Sequence, residues 1–338
     1  MMKNRKAYLD PEHRFTIRRE EIPEPGESDV VVKIRANGIC GSDSHFYKEG
    51  RLGNFVVDRP YVPGHECSGT VFAAGKAVRN MSEGDTVTIE PGIPCGRCKY
   101  CREGRYNLCP DVRFLSAPPE NGTFCDYVCV PGDMVFKVPG GLPFEEAAMI
   151  EPAAVAVQAV KRAVFPKGAS GIIIGAGPIG LLTLQAFKAA GGGEAACVDI
   201  NSFRLEFAGK IGADKVIKIT DGKLPDIKAD VVFETAGSDS ATESLFGYLE
   251  PGGCAVQVGW PRSNHVPMDI AAFIERELTY VSVNRYANAY PAAIRWISDG
   301  RIKVRELITH RFDFEDIAEA FRFTAQNPGE VIKTIVMN

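Results

Sequence analysis

The sequence predicts an α/β protein of two parts, a β-rich domain and a doubly wound parallel sheet, and three observations carry that expectation. Residues 1 to about 150 hold short apolar runs separated by Gly, Pro and Asp; from Gly171 onward strand-like and helix-like runs alternate; and the turn joining the first such pair reads Gly175-Ala176-Gly177-Pro178-Ile179-Gly180. At 338 residues the chain is long enough for two cores, and 45% hydrophobic with 24% charged residues is ordinary for a globular protein.

Taken in order, the clearer strands of the first part are residues 30–36, 69–74, 84–90 and 127–131, bounded by turn clusters such as Pro23-Glu24-Pro25-Gly26 and Pro139-Gly140-Gly141. Residues 143–164 take helical spacing. Pro152 lacks a backbone donor and biases Glu151 away from helical dihedrals, which predicts a break at that carboxylate. The alternation then runs through a strand at 171–174, a helix at 179–190, a strand at 195–200, a helix at 202–211, strands at 215–219 and 230–234, a helix at 240–249 and a strand at 254–259. Such a series implies right-handed crossovers and a parallel sheet covered on both faces. Residues 292–338 hold two helical patterns and a strand-like 331–337, which is expected to return to the first domain.

Composition excludes several classes. A net charge of −4 provides no basic field for nucleic acid or an acidic membrane. No run approaches the length of a membrane span, and Lys3, Arg5 and Lys6 have no apolar segment behind them, so the chain reads as cytoplasmic. Ten cysteines without a secretion signal point to metal ligands, catalysis or packing; Cys67, Cys125, Cys129, Cys197 and Cys254 stand in apolar or strand-like surroundings and are expected to pack.

The glycine turn favours a dinucleotide. Gly175 permits the tight bend, Gly177 lets backbone approach a pyrophosphate, and Gly180 lets helix and strand pack closely, while Pro178 and Ile179 open a helix whose free N–H groups favour phosphate. Asp199 closes the next strand about 20 residues on, where a carboxylate accepts from both adenosine ribose hydroxyls and repels a 2′-phosphate. NAD is therefore favoured over NADP. Arg204 tempers this, because a guanidinium so close can bind that phosphate or stack on adenine.

Two cysteine and histidine constellations follow. Cys95, Cys98, Cys101 and Cys109 sit in one loop with Gly96 and Gly104, and four thiolates fill a tetrahedral ion completely, as a structural zinc requires. The competing iron–sulfur reading needs three residues, not seven, before the last cysteine. The second set is dispersed: Cys40, then His65-Glu66, then Glu151. Few ligands of mixed type with an open position suit a catalytic zinc, and Asp43 suits a partner for the other ring nitrogen of His65. Singly, Cys40 reads more often as a buried thiol and His65 as a satisfied loop histidine.

Together these residues resemble the zinc-dependent medium-chain dehydrogenases, the alcohol and polyol dehydrogenase superfamily. The match runs in order through residues 38–45, Gly64-His65-Glu66, the cysteine lobe, Glu151-Pro152, the glycine turn and Asp199. The sorbitol (L-iditol) dehydrogenase subgroup looks nearest, through Gly50-Arg51-Leu52-Gly53-Asn54-Phe55, Gly104-Arg105-Tyr106-Asn107-Leu108, Phe114, Pro118-Pro119, Met149-Ile150-Glu151-Pro152, Arg285-Tyr286 and Thr309-His310-Arg311-Phe312. The resemblance implies a GroES-like catalytic domain at 1–152 and 287–338, with a zinc lobe at about 93–111, around a Rossmann domain at 153–286. It implies a catalytic zinc on Cys40, His65 and Glu66, with Glu151 at or within one water of it, and an active site in the interdomain cleft. Phe46, Ala117 and Asn284 depart from the Tyr, Thr and Phe usual in that subgroup, which changes pocket lining and leaves the polyol open.

The expected activity is NAD-dependent oxidation of a secondary alcohol of a polyol or sugar-like substrate, with two zinc ions per chain. Ser42 and His45 form the expected proton relay, with Glu151 as the alternative exit. Phe114, Arg285 and Tyr286 are the expected substrate contacts. A cyclitol or L-threonine is the alternative substrate, and a homo-oligomer, tetramer or dimer, is expected, the tetramer being the family's common state. Two other classes compete: a zinc-free reductase of the same fold, against which Cys40, His65 and Glu66 argue, and a non-catalytic NAD-binding zinc protein.

Overall fold

The Asp29–Gly38 strand, rich in β-branched residues, is the spine of the β-rich part, with Val30, Val31, Val32, Ile34 and Ala36 buried. In the computed structural model, which describes residues 3–220 and 226–338, this strand pairs antiparallel with Glu66–Ala74 along one edge. Along the other it pairs with Tyr127–Pro131 at its start and Lys333–Met337 at its end. Met1, Met2 and residues 221–225 lie outside the described residues.

These strands belong to a seven-stranded sheet that also takes in Thr86–Ile89, Val135–Lys137 and Ile308–Asp313. Val30, Val32, Ile34, Val71, Val87, Ile89 and Val130 form one core cluster on it, each fully buried side chain contributing on the order of 2 kcal/mol. The chain's last strand therefore sits inside the sheet, between Asp29–Gly38 and Ile308–Asp313. An N-terminal hairpin, Asn4–Leu9 with Phe15–Glu20, is an element the alternation pattern did not reveal.

The second part is a six-stranded sheet, parallel at every pairing. Its spatial order is Lys215–Lys218, Ala195–Asp199, Gly171–Ile174, Ala229–Glu234, Leu249–Gln257 and Thr279–Ser282. Chain order reverses on either side of Gly171–Ile174, the place where doubly wound sheets bind ligands beyond the carboxyl ends of their strands.

Two expectations shift. The helical stretch is interrupted at Met149, between Phe144–Ala148 and Ile150–Arg162, and not at Glu151. Pro152 lies in the first turn of the second helix, where its missing donor has no intrahelical partner to lose. The chain divides into Met1–Glu151 with Val304–Asn338, and Pro152–Lys303, so the return comes later than 287. The helix Tyr290–Ser298 buries Tyr290, Ala293 and Ile297, and the Gln185 amide binds the Lys303 backbone at N (2.7 Å) and O (3.3 Å), which ties the segment to the second unit. Among the described residues no helix is long and apolar enough to cross a membrane.

Candidate active site and metal centres

Cys40, His65 and Glu66 each present a ligand atom, and these atoms lie within 4.8 Å of one another. Sheet register brings them together. Gly38 ends its strand level with Glu66, and a side chain at 38 would overlap the Glu66 carboxylate. Cys40 follows two residues later as the N-cap of the helix Gly41–Glu49, where free N–H groups favour a negative ligand.

Asp43, fully buried, braces the two segments. Its Oδ2 accepts from Cys40 N (3.1 Å), and its Oδ1 accepts from Ser116 Oγ (2.7 Å) and Gly64 N (3.3 Å). That Oδ1 stands 3.7 Å from His65 Nδ1, short of a hydrogen bond, and Nδ1 has no other partner. Burial opposes a charge on His65, but Asp43 and then Cys40 hold its pKa well above the ordinary value. A half-buried thiol, a buried imidazole and a buried carboxylate converging in this way form the donor set of a cation. A zinc ion fits them.

The Lys333 ammonium reaches Glu66 Oε1 (2.8 Å), Glu66 Oε2 (2.7 Å) and Ile39 O (3.2 Å). Burial works against its charge, and Glu66 outweighs that to raise its pKa. Glu151 is buried, and its charge is felt by both His65 and Lys333. The Phe114 ring lies 5.3 Å from the His65 ring, an apolar wall beside the cluster. Ser42 is half-buried in the first turn of the helix Gly41–Glu49, and His45, exposed one turn on, has Nδ1 3.5 Å from Glu49 Oε1. Phe46 packs in a core cluster with Leu9, Val57 and Tyr61.

The four lobe cysteines also converge within 4.8 Å, with Cys98 and Cys101 sulfurs 3.4 Å apart. Gly96 and Gly104 take positive φ, +72° and +71°, to fold the loop. Backbone N–H groups of Arg97 and Cys98 bring the Cys95 thiol down to about 7, which favours the thiolate a metal needs.

In the second unit Gly175 takes φ +94°, and a side chain at Gly180 would overlap Gly175 O. At Gly177, the N-cap of Pro178–Ala189, an added Cβ would meet only Arg204 Nη1 at 3.8 Å, so the face of the turn is open to a phosphate. Asp199 Oδ2 accepts from Ala176 N (2.6 Å) and Oδ1 from Asn201 N (2.8 Å), which fixes this carboxylate beside the turn with lone pairs left for ribose hydroxyls. Tyr286 is buried in the same unit, its ring 5.6 Å from Tyr290, and Arg285 before it has φ +54°.

The Alcohol dehydrogenase GroES-like domain model matches residues 26–140 and the Zinc-binding dehydrogenase model residues 178–299. A sorbitol dehydrogenase of Bacillus subtilis is 39% identical, over 93% of this chain and 92% of its own. The chain belongs to the zinc-dependent medium-chain dehydrogenase superfamily. Two solved structures superpose along the whole length of this dehydrogenase. An Escherichia coli oxidoreductase/dehydrogenase of unknown specificity has TM-score 0.93, 39% identity and 99% of each chain covered. An Escherichia coli CFT073 alcohol dehydrogenase complexed with NADH has TM-score 0.92, 29% identity and 100% of each chain covered. The β-rich sheet is the GroES-like domain of this superfamily and the parallel sheet its Rossmann-like domain.

Three residues of the dehydrogenase escaped the sequence reading. Lys333 stood in an apolar strand, where a lone cation should have signalled a buried partner. Ser116, buried with φ +74°, bridges Gly64 N (2.9 Å) to Asp43, and nothing local marks it. Glu90 is buried just past the Thr86–Ile89 strand, and burial pushes its carboxyl up to about 7 against a hydrogen bond from Tyr106.

Proposed function

We propose that this dehydrogenase oxidises a secondary alcohol of a polyol or sugar-like substrate to a ketone, with NAD as hydride acceptor. The observation that carries the reading is the convergence of half-buried Cys40 with buried His65 and Glu66, three donors of mixed type that leave a tetrahedral ion room for one more ligand. The Bacillus subtilis sorbitol dehydrogenase supports the substrate class, and the NADH-bound relative supports the cofactor.

Bound to these groups, zinc would supply Lewis acidity toward the substrate hydroxyl, while NAD would take hydride from the carbinol carbon. Asp43 holds the Cys40 and Gly64 backbone and faces the His65 ring, and Lys333 orients the Glu66 carboxylate. Ser42 receives the hydroxyl proton and passes it toward exposed His45; Glu151 is the alternative acceptor. Cys95, Cys98, Cys101 and Cys109, whose sulfurs converge, would hold a second, structural zinc. Phe114, Arg285 and Tyr286 contact the substrate, whose remaining hydroxyls need polar partners that a simple alcohol would leave unpaired. Asp199 selects NAD, with Arg204 over Gly177. The chain works as a cytoplasmic homotetramer or homodimer, in keeping with exposed Trp260, Ile270 and Ile274 on the second unit.

The test is NADH formation across polyols, cyclitols, monohydric secondary alcohols and L-threonine. Polyols should give the highest kcat/KM. Turnover of L-threonine or a cyclitol alone would move the substrate class, and NADH binding without turnover of any of them would make this a non-catalytic protein.

A further inference from the structure

Glu234, the last residue of the Ala229–Glu234 strand, is fully buried and accepts five hydrogen bonds. Its Oε1 takes Ala236 N and Gly237 N, both at 2.8 Å, and its Oε2 takes Gln257 Nε2 at 2.6 Å. Its carbonyl takes Val258 N and Gly259 N, both at 2.9 Å. One residue thus fastens the turn after its own strand to the loop after the neighbouring Leu249–Gln257 strand.

Both segments lie at the carboxyl edge of the parallel sheet, and both are packed backbone to backbone. Glu234 is in register with Ile174, the residue before the glycine turn, and Thr235 Oγ1 donates to Ile174 O (2.9 Å) and Gly175 O (2.8 Å). A Cβ on Gly175 would fall 2.7 Å from Ala236 N, and one on Gly237 2.9 Å from Trp260 O. A Cβ on Gly259 would fall 2.5 Å from the Glu234 carboxylate itself.

A dinucleotide whose adenosine ribose lies at Asp199 and whose pyrophosphate lies at Gly177 continues past Gly171–Ile174 toward Ala229–Glu234 and Leu249–Gln257. The segments fastened by Glu234 are therefore under its other half. We infer that Glu234 is a positioning residue for the nicotinamide half of the cofactor: it sets the 235–238 turn and the 258–260 loop without touching the ligand. The inference rests on the proposed use of NAD. A carboxylate is required because three donors converge on it; a glutamine at 234 would turn its own N–H groups on one of them.

The test measures the affinity of the zinc-loaded protein for NADH and for ADP, by titration calorimetry, in the wild type, Glu234→Gln, Gln257→Ala and the exchange Glu234→Gln/Gln257→Glu. Glu234→Gln should weaken NADH by about tenfold or more, one misplaced buried donor being worth that much, and ADP by less than about twofold. The exchange restores donor facing acceptor between 234 and 257 and should recover much of the NADH affinity. Gln257→Ala should show the same selective loss and decides the matter should Glu234→Gln fail to fold. Equal losses for NADH and ADP, or no loss, would overturn the inference. A wild type that binds no NADH would instead overturn the use of NAD.

Discussion

Lys333 Nζ stands 2.8 and 2.7 Å from the two carboxylate oxygens of Glu66, and both side chains are buried. Glu66, a zinc ligand in the proposed function, thus already has a protein counter-ion. Removing it leaves a buried carboxylate whose charge only the metal can balance. Lys333→Met should destabilise zinc-stripped protein by about 3 kcal/mol in urea unfolding and the zinc-loaded protein by much less. A loss below about 0.5 kcal/mol in the stripped protein would show that the pair does not hold the site.

The two cysteine sets predict opposite phenotypes. Cys40→Ser should abolish turnover, spare the fold and lower zinc content from two ions per chain to one. Cys98→Ser should also lose one zinc, but its first effect should be on stability, since a closed site holds its loop. Metal analysis with thermal unfolding separates them, and near-native turnover in Cys40→Ser would refute the catalytic assignment.

In the proposed function cofactor choice rests on the Asp199 carboxylate, which also accepts from Ala176 N. Asp199→Ser should therefore do two things: admit NADP, with Arg204 available to its phosphate, and weaken NAD by loosening the turn. The kcat/KM ratio of NAD to NADP should fall by roughly 100-fold, or about 3 kcal/mol. An unchanged ratio would remove Asp199 from the selection.

Glu90 gives a pH-dependent test. Its pKa is raised from 4.5 to about 7 in the fold, so the folded state favours its neutral form. The stability this group contributes is complete below about 4.5 and is lost as pH rises toward 7. Glu90→Gln should therefore gain stability relative to wild type between pH 5 and pH 8, by at most about 3 kcal/mol. Parallel stability curves across that range would contradict the shift.

Arg285→Ala should lower kcat/KM for a polyol far more than for a small monohydric secondary alcohol, because only the polyol has further hydroxyls to bind. Equal losses on both would mean that Arg285, in its left-handed backbone conformation, braces its segment and does not read the substrate.

The parallel sheet was legible because its strands are buried on both faces and read as apolar runs between helices; Gly171–Ile174 matches residue for residue. The lobe was equally plain, since four cysteines within one loop need no tertiary information. Lys333 and Ser116 were not legible, because each matters through a partner far off in sequence, Glu66 and Asp43, that only the sheet and loop packing bring near. The break at Met149 was misplaced for a local reason: a proline interrupts a helix interior but is tolerated in a first turn.

The Lys333–Met337 strand enters the interior of the β-rich sheet, yet it is synthesised after the whole of the Pro152–Lys303 unit. On the ribosome Cys40, His65 and Glu66 emerge long before the cation that neutralises Glu66. The catalytic unit must wait for the whole nucleotide-binding unit to be made before its sheet can close. A nascent chain stalled before residue 333 would carry its lobe cysteines and its glycine turn but an open sheet beside an uncompensated carboxylate.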